Sequence, residues 1–318
     1  MTENKYKIGI IGLGYVGFPL ACLFARKYSV IGFDINEERI KEINAGIDST
    51  NEVSEGALEA ALANGMVCTS QLEELKACNV YIVAIPTPVD DFYNPELFPL
   101  KKASTSVGKV LKKGDYVIYE STVYPGVTEE VCAPILEEVS GLKLNEDFYL
   151  GYSPERINPG DRVHTVENIP KITSGSTPEA AEVIDNLYNS VLLKGTHRAP
   201  NIKVAEAAKI LENTQRDVNI AFMNEIAIVF NALGIDAVKQ SRYIFRSNEF
   251  SFYSKSNGVN TLCNEFLCTG IGLGCIASLY INTHKPAVAG FVAPCKREHA
   301  RLQVLTPRRQ ILLAVERV

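Results

Sequence analysis

Residues 7–17 read KIGIIGLGYVG. The apolar, β-branched run from Lys7 predicts a strand, and Gly12, Gly14 and Gly17 follow it with the G-x-G-x-x-G spacing that opens a helix. The first glycine permits the tight turn and the second lets backbone approach a pyrophosphate. The third allows close helix–strand packing, with the phosphates at the helix N-terminus. Asp34 ends the next β-branched run, twenty residues after Gly14, where a carboxylate accepts ribose hydroxyls. It would repel a 2′-phosphate, so NAD is expected rather than NADP. Arg39, a turn further on, either flanks the adenosine or is a solvated helix arginine.

Strands are expected at 7–12, 30–34, 80–85, 116–120 and 148–152, with helices at about 16–28, 37–45, 56–63, 99–111 and 127–139. This alternation predicts an α/β fold, a Rossmann-like doubly wound parallel sheet with right-handed crossovers. A strand near 171–174, a helix at 178–190 and a strand at 191–193 extend it. Residues 201–233 then read as one long helix without proline or internal glycine, ended by Gly234. A helix of that length beside a nucleotide domain predicts the start of a central helical domain, serving substrate binding or a homodimer. The expected divisions are 1–198, 199–240 and a tail of unknown structure at 241–318.

The tail differs in character. Residues 1–240 hold 22 Lys+Arg against 33 Asp+Glu, while residues 241–318 hold 10 against 4. The stretch 241–261 has aromatic residues but no sustained period, and 266–281 is apolar and glycine-dotted. The last stretch, from Cys295, reads as a basic amphipathic helix interrupted by Pro307. The glycines at 270–274 follow no clear strand and are a chance match.

Composition sets further bounds. A length of 318 residues suits about two domains, and 46% apolar content suits a globular protein with a full core. No stretch has the length of a membrane span, and the N-terminus enters a strand without a signal region, so a cytoplasmic protein is expected. The eight cysteines form neither a C-x-x-C pair nor a disulfide framework; Cys22, Cys68, Cys78 and Cys132 read as small buried apolar residues. The acidity of the first 240 residues argues against a nucleic-acid partner.

Three polar clusters stand where a parallel sheet places its functional loops, beyond the carboxyl ends of strands. They are Ala84-Ile85-Pro86-Thr87-Pro88, Glu120-Ser121-Thr122-Val123-Tyr124-Pro125-Gly126 and Tyr152-Ser153-Pro154-Glu155-Arg156-Ile157-Asn158-Pro159-Gly160. The first would face the nicotinamide half of the cofactor, and Thr122 in the second could hold a water or a substrate hydroxyl. Lys209 and Asn213 share a face of the long helix at i, i+4, and Arg216 lies three residues on. Each cluster alone also reads as caps and solvated side chains; in this order on one frame they are specific.

With IGLGYVG, IPTP, ESTVYPG, GYSPERINPGD and VAEAAKILENTQRDVNIAFMNEIAIVFNALGID in place, the sequence resembles the UDP-glucose/GDP-mannose dehydrogenase family over residues 5 to about 238. Within it, the likeness is greatest to the members acting on UDP-N-acetylhexosamines in bacterial surface-polysaccharide synthesis. The resemblance implies NAD-dependent oxidation of a C6 hydroxyl to the carboxylate in two steps. By that resemblance Thr122 and Glu155 position water and handle protons, Lys209 stabilises an oxyanion or moves a proton, and Asn213 supports it. Arg156, Ile157 and Arg216 contact substrate together with Lys209 and Asn213, and Tyr15, Val16, Asp34, Arg39, Thr87 and Thr122 line NAD. These residue types suit a reaction in which a hydroxyl loses its proton as hydride departs.

The same resemblance implies a cysteine nucleophile in a G-G-H-C-x-G-x-D-P-Y stretch, which these 318 residues lack. Four residues beyond Cys263, Cys268, Cys275 and Cys295 stand Leu267, Gly272, Leu279 and His299, none of them a carboxylate. The expectation is a truncated or frameshifted, catalytically incomplete chain. A real, divergent tail is the competing reading. The other functional readings are a hydroxyacid-type dehydrogenase and a non-catalytic NAD-binding remnant that pairs with an intact paralogue.

Overall fold

A computed structural model describes residues 5–90, 92, 94–155 and 166–234. Two compact units divide the chain, Met1–Ile210 and Leu211–Val318. In the first, eight strands form one sheet: β1 (Lys7–Ile11), β2 (Ser29–Phe33), β3 (Val67–Thr69), β4 (Val80–Val83), β5 (Asp115–Tyr119), β6 (Phe148–Tyr152), β7 (Lys171–Gly175) and β8 (Thr196–Arg198). Their spatial order is β3-β2-β1-β4-β5-β6-β7-β8. The order reverses between β1 and β4, so a crevice opens at their carboxyl ends, where doubly wound sheets bind ligands.

The connecting helices are α1 (Gly17–Ala25), α2 (Glu37–Asn44), α3 (Glu55–Ala63), α4 (Phe98–Gly108), α5 (Ala133–Ser140) and α6 (Pro178–Asn189). Two apolar layers flank the sheet. One joins Ile8, Ile10, Phe18, Phe24, Ile82 and Tyr188. The other joins Tyr81, Val83, Tyr119, Leu136, Phe148 and Tyr152. Central strands buried on both faces explain the near-continuous apolar runs of β1 and β4. Helix α7 (Ile202–Ala232) begins in the first unit and continues through the described part of the second. No helix among the described residues is long and apolar enough to cross a membrane.

The expected framework forms, with the short strand β3 added to it and three departures. The sheet is mixed: β6 and β7 pair antiparallel, Gly151 opposite Gly175 and Tyr152 opposite Ser174. The last strand lies at 196–198 rather than 191–193, because Val191 and Leu192 donate to the Tyr188 carbonyl and finish the turn of α6. The helix expected over 127–139 opens as a wide π turn at Val127–Cys132, with the Ala133 N–H bonded back to the Thr128 carbonyl. Pro134 has no N–H to carry the normal ladder across that junction. Cys22, Cys68, Cys78 and Cys132 are buried free thiols; burial pushes the first three up to about 12 and Cys132 up to about 11, so they pack as apolar side chains.

Candidate functional site

The turn between β1 and α1 has the shape its glycines require. Gly12 sits at φ +93°, and a Cβ there would lie 2.8 Å from the Ala84 carbonyl oxygen. A Cβ on Gly17 would come within 1.9 Å of the Gly12 carbonyl oxygen. At Gly14 a Cβ would meet nothing within 4 Å, so the backbone there faces open space. Helix α1 follows Val16, which stands at its N-cap position and makes no side-chain cap, and its first turn holds no acidic residue. The caps Asn36, Ser54 and Thr177 close α2, α3 and α6. Orphan N–H groups beside open space at Gly14 fit an anion.

Asp34 braces this turn. Its Oδ2 accepts from the Leu13 N–H at 2.8 Å and its Oδ1 from the Asn36 N–H at 2.9 Å. Each oxygen keeps a lone pair for a hydroxyl. Arg39 is buried, not solvated. Its Nε donates to the Leu13 carbonyl at 3.0 Å, and its guanidinium also bonds Asp48 at 2.7 Å and Ser49 at 3.1 Å. It stacks 4.8 Å from the Phe18 ring centroid. Leu13 is therefore gripped on both sides, its N–H by Asp34 and its carbonyl by Arg39. Tyr15 is exposed at the mouth of the turn.

The loops after β4 and β5 are tied together. Thr87 donates to the Thr122 carbonyl at 2.5 Å and Ser121 to the Ile85 carbonyl at 2.6 Å. Beyond Pro125, Glu206 of α7 is fully buried and accepts from the Gly126 N–H at 2.6 Å and the Thr128 N–H at 3.0 Å. Burial raises its carboxyl above the usual range, against those hydrogen bonds.

At the ends of β5 and β6 lies a sealed ionic knot. Lys171 Nζ stands 2.5 Å from Glu120 and 3.2 Å from Glu155, and it also donates to the Pro154 carbonyl at 3.2 Å. Tyr188 donates to the other Glu120 oxygen. Burial lifts the Glu120 carboxyl to about 7, helped by Glu155 and opposed by Lys171. Burial works against the Lys171 charge, but the two carboxylates prevail and its pKa is raised. The antiparallel register of β6 and β7, carried outward, sets Lys171 opposite Glu155.

The expected site residues thus fall in three groups. Gly12, Gly14, Tyr15, Val16, Gly17, Asp34, Arg39, Thr87, Thr122 and Glu155 all occupy the carboxyl-end rim of the sheet or brace it. Lys209 is buried on α7 within the first unit, and Asn213 and Arg216 lie further along that helix. Arg156 and Ile157 lie outside the described residues, as does everything expected of 235–318. Sequence reasoning assigned nothing to Glu120, Lys171, Tyr188, Asp48 or Glu206. A lysine opening the short strand expected near 171–174 was the available signal for Lys171.

Residues 6–192 match the family description "UDP-glucose/GDP-mannose dehydrogenase family, NAD binding domain". This chain belongs to that family. A match to the family's central domain covers residues 203–274, so the likeness runs past Gln240 into the segment expected to have none. The family's NAD binding domain makes NAD the dinucleotide, and the open turn at Gly14 with Asp34 beside it fits that cofactor. UDP-N-acetyl-D-glucosamine 6-dehydrogenase of Pseudomonas aeruginosa is 61% identical over 230 residues, 72% of this chain and 54% of that protein. The Salmonella typhi protein of the same name is 55% identical over 233 residues, 73% of this chain and 54% of its own length. The chain spans about half the length of these curated relatives. A solved structure of the UDP-D-ManNAc dehydrogenase from Pyrococcus horikoshii superposes with a TM-score of 0.72 at 33% identity, covering 90% of this chain and 70% of that one.

Proposed function

We propose that this chain carries the cofactor half and the proton-handling rim of an NAD-dependent 6-dehydrogenase for a UDP-N-acetylhexosamine. The observation that carries this reading is the placement of Glu155. It is a buried carboxylate held by Lys171 on the same carboxyl-end rim as the Gly14 turn. The names of the Pseudomonas and Salmonella relatives support the substrate class.

Bound NAD would supply the hydride acceptor. Gly14 backbone and the α1 N-terminus would hold its pyrophosphate, and Asp34 its ribose hydroxyls. Thr122, whose carbonyl is pinned by Thr87, would hold a hydroxyl or water at the rim. Glu155, kept oriented by Lys171, would take or pass a proton through that water. Lys209, with Asn213 one turn on, would steady developing negative charge on the substrate oxygen. Arg156, Ile157 and Arg216 would contact the sugar nucleotide, and α7 would pair two copies.

Residues 241–318 contain no G-G-H-C stretch, and we read this chain as one that does not complete the second oxidation. Surface-polysaccharide synthesis in the cytoplasm, with neither nucleic acid nor membrane as partner, is the proposed setting. Purified full chain, titrated with NADH and then with UDP-N-acetylglucosamine, tests the reading. Saturable NADH binding that the sugar nucleotide tightens is expected. With NAD+ supplied in place of NADH, two NADH formed per uronate in stoichiometric yield would overturn the incompleteness, and no NADH binding would overturn the whole.

A further inference from the structure

Arg39 is the cation buried against the dinucleotide turn, and its partners decide what it can reach. Its Nε is bound to the Leu13 carbonyl, one peptide away from the N–H that Asp34 holds. The outer edge of the guanidinium faces the other way. One NH2 group bonds Asp48 Oδ1 at 2.7 Å, the other bonds Ser49 Oγ at 3.1 Å, and Glu42 lies 3.6 Å off. Asp48 is itself fixed. It accepts from the Thr50, Glu52 and Val53 N–H groups and from the Thr50 hydroxyl. Its side chain is 4% exposed against 9% for that of Arg39. Burial disfavours its charge, yet the bonds from Thr50 and Arg39 keep the carboxyl below the ordinary range.

An arginine fork at this place on a dinucleotide fold is the natural acceptor site for a ribose 2′-phosphate. Here the fork is already filled. We propose that Asp48 is a specificity-determining residue, which holds the Arg39 guanidinium away from the ribose end of the site and so excludes NADP. Asp34 repels the 2′-phosphate, and Asp48 withholds the one buried charge, among the described residues of this turn, that would compensate it. Selectivity for NAD then rests on two carboxylates, Asp34 bonded to Leu13 and Asp48 bonded to Arg39, only the first of which would touch the cofactor. The loop 46–53 acts as a latch on Arg39. The inference rests on the cofactor site described above.

The test is a competitive titration of NADH and NADPH fluorescence on the full chain, with far-UV circular dichroism to establish folding. Asp48→Asn removes the charge that holds the fork, leaving one neutral acceptor for the loop. NADPH binding should tighten about ten-fold, the scale of one charge-assisted pair, while NADH binding stays within about three-fold. Adding Arg39→Met to that variant should abolish the gain. Unchanged selectivity in folded Asp48→Asn, or a gain that survives loss of Arg39, would overturn the proposal. Should Asp48→Asn not fold, Arg39→Met alone decides. A latched fork contributes nothing to the phosphate, so the NADPH-to-NADH affinity ratio should stay within about three-fold of wild type. A ratio falling about ten-fold would mean that Arg39 already serves the phosphate. Absence of NADH binding to the wild type overturns the cofactor site and this inference together, whereas normal NADH binding with either adverse ratio overturns the inference alone.

Discussion

The Lys171 ammonium lies 2.5 Å from the Glu120 carboxylate, and both side chains are closed to solvent. With Glu155 as the second carboxylate, the knot holds two acids around one base, with the Tyr188 hydroxyl as a further donor. Buried ion pairs add little net stability over apolar packing, but breaking one leaves an uncompensated charge. Lys171→Met should therefore destabilise the first unit by about 3–5 kcal/mol, measured by urea unfolding. Glu120→Gln, which leaves Lys171 paired with Glu155, should cost less, about 1–2 kcal/mol. Equal losses from the two changes would contradict the geometry.

The same knot sets a pH dependence. The Glu120 carboxyl is raised from 4.5 to about 7 by burial first and Glu155 second. Between those values the folded chain keeps a proton that the unfolded chain releases, so the Glu120 contribution to stability falls as pH rises through that window. Asp115 and Glu206 are also raised, and Asp48 is lowered, so the total slope mixes signs. The difference between wild type and Glu120→Gln isolates the group. That difference in melting temperature should move against the wild type from pH 4.5 to 7 and then level off. A difference flat across the window would refute the shift.

Gly14 and Gly17 should fail in different ways. A Cβ at Gly17 meets the Gly12 carbonyl at 1.9 Å, and nothing flexible can yield there. Gly17→Ala should cost about 1–3 kcal/mol of stability or more, as overpacking against backbone does. A Cβ at Gly14 meets no atom of the chain. Gly14→Ala should therefore leave the melting temperature near wild type yet weaken NADH about ten-fold, because the methyl occupies the space where the pyrophosphate must approach. Normal NADH affinity in Gly14→Ala would mean that the phosphates lie elsewhere.

Much of this fold was legible in 7–17 and in the alternation after it, because turn glycines and β-branched runs are local signals. The sites that were not legible depend on strand direction. Lys171 opens β7, and in the parallel sheet expected from the sequence the start of a strand lies at the end away from the carboxyl-end rim. Reversal of β7 against β6 brings Lys171 to the rim opposite Glu155. Nothing within five residues of Lys171 announces that reversal. The short β3 escaped for another reason, since Val67–Thr69 offers three residues and no period. The misplaced last strand shows the opposite error, an apolar run whose Leu192 packs into the core while its N–H completes a helix turn. Asp48 and Arg39 are nine residues apart on different elements, a pairing that side-chain spacing on one helix does not reveal.

Glu206 links α7 to the loop that carries Thr122. Its carboxylate accepts the Gly126 and Thr128 N–H groups, so it serves as the cap of the 127–132 turn, which begins without a cap of its own. Gly126 stands at φ +100°, and the bond to Glu206 helps hold that left-handed residue. Glu206→Ala should remove two charge-assisted bonds from buried donors and cost about 3 kcal/mol or more. Glu206→Gln keeps one acceptor oxygen and should lose about half as much. Because the 121–126 loop is released at its far end, amide exchange at Gly126 and Thr128 should speed up in both variants well before β5 is affected. If exchange there matched that of β5 in Glu206→Ala, the loop would be held by its own packing, and the long helix would have no grip on the residue expected to hold the substrate hydroxyl.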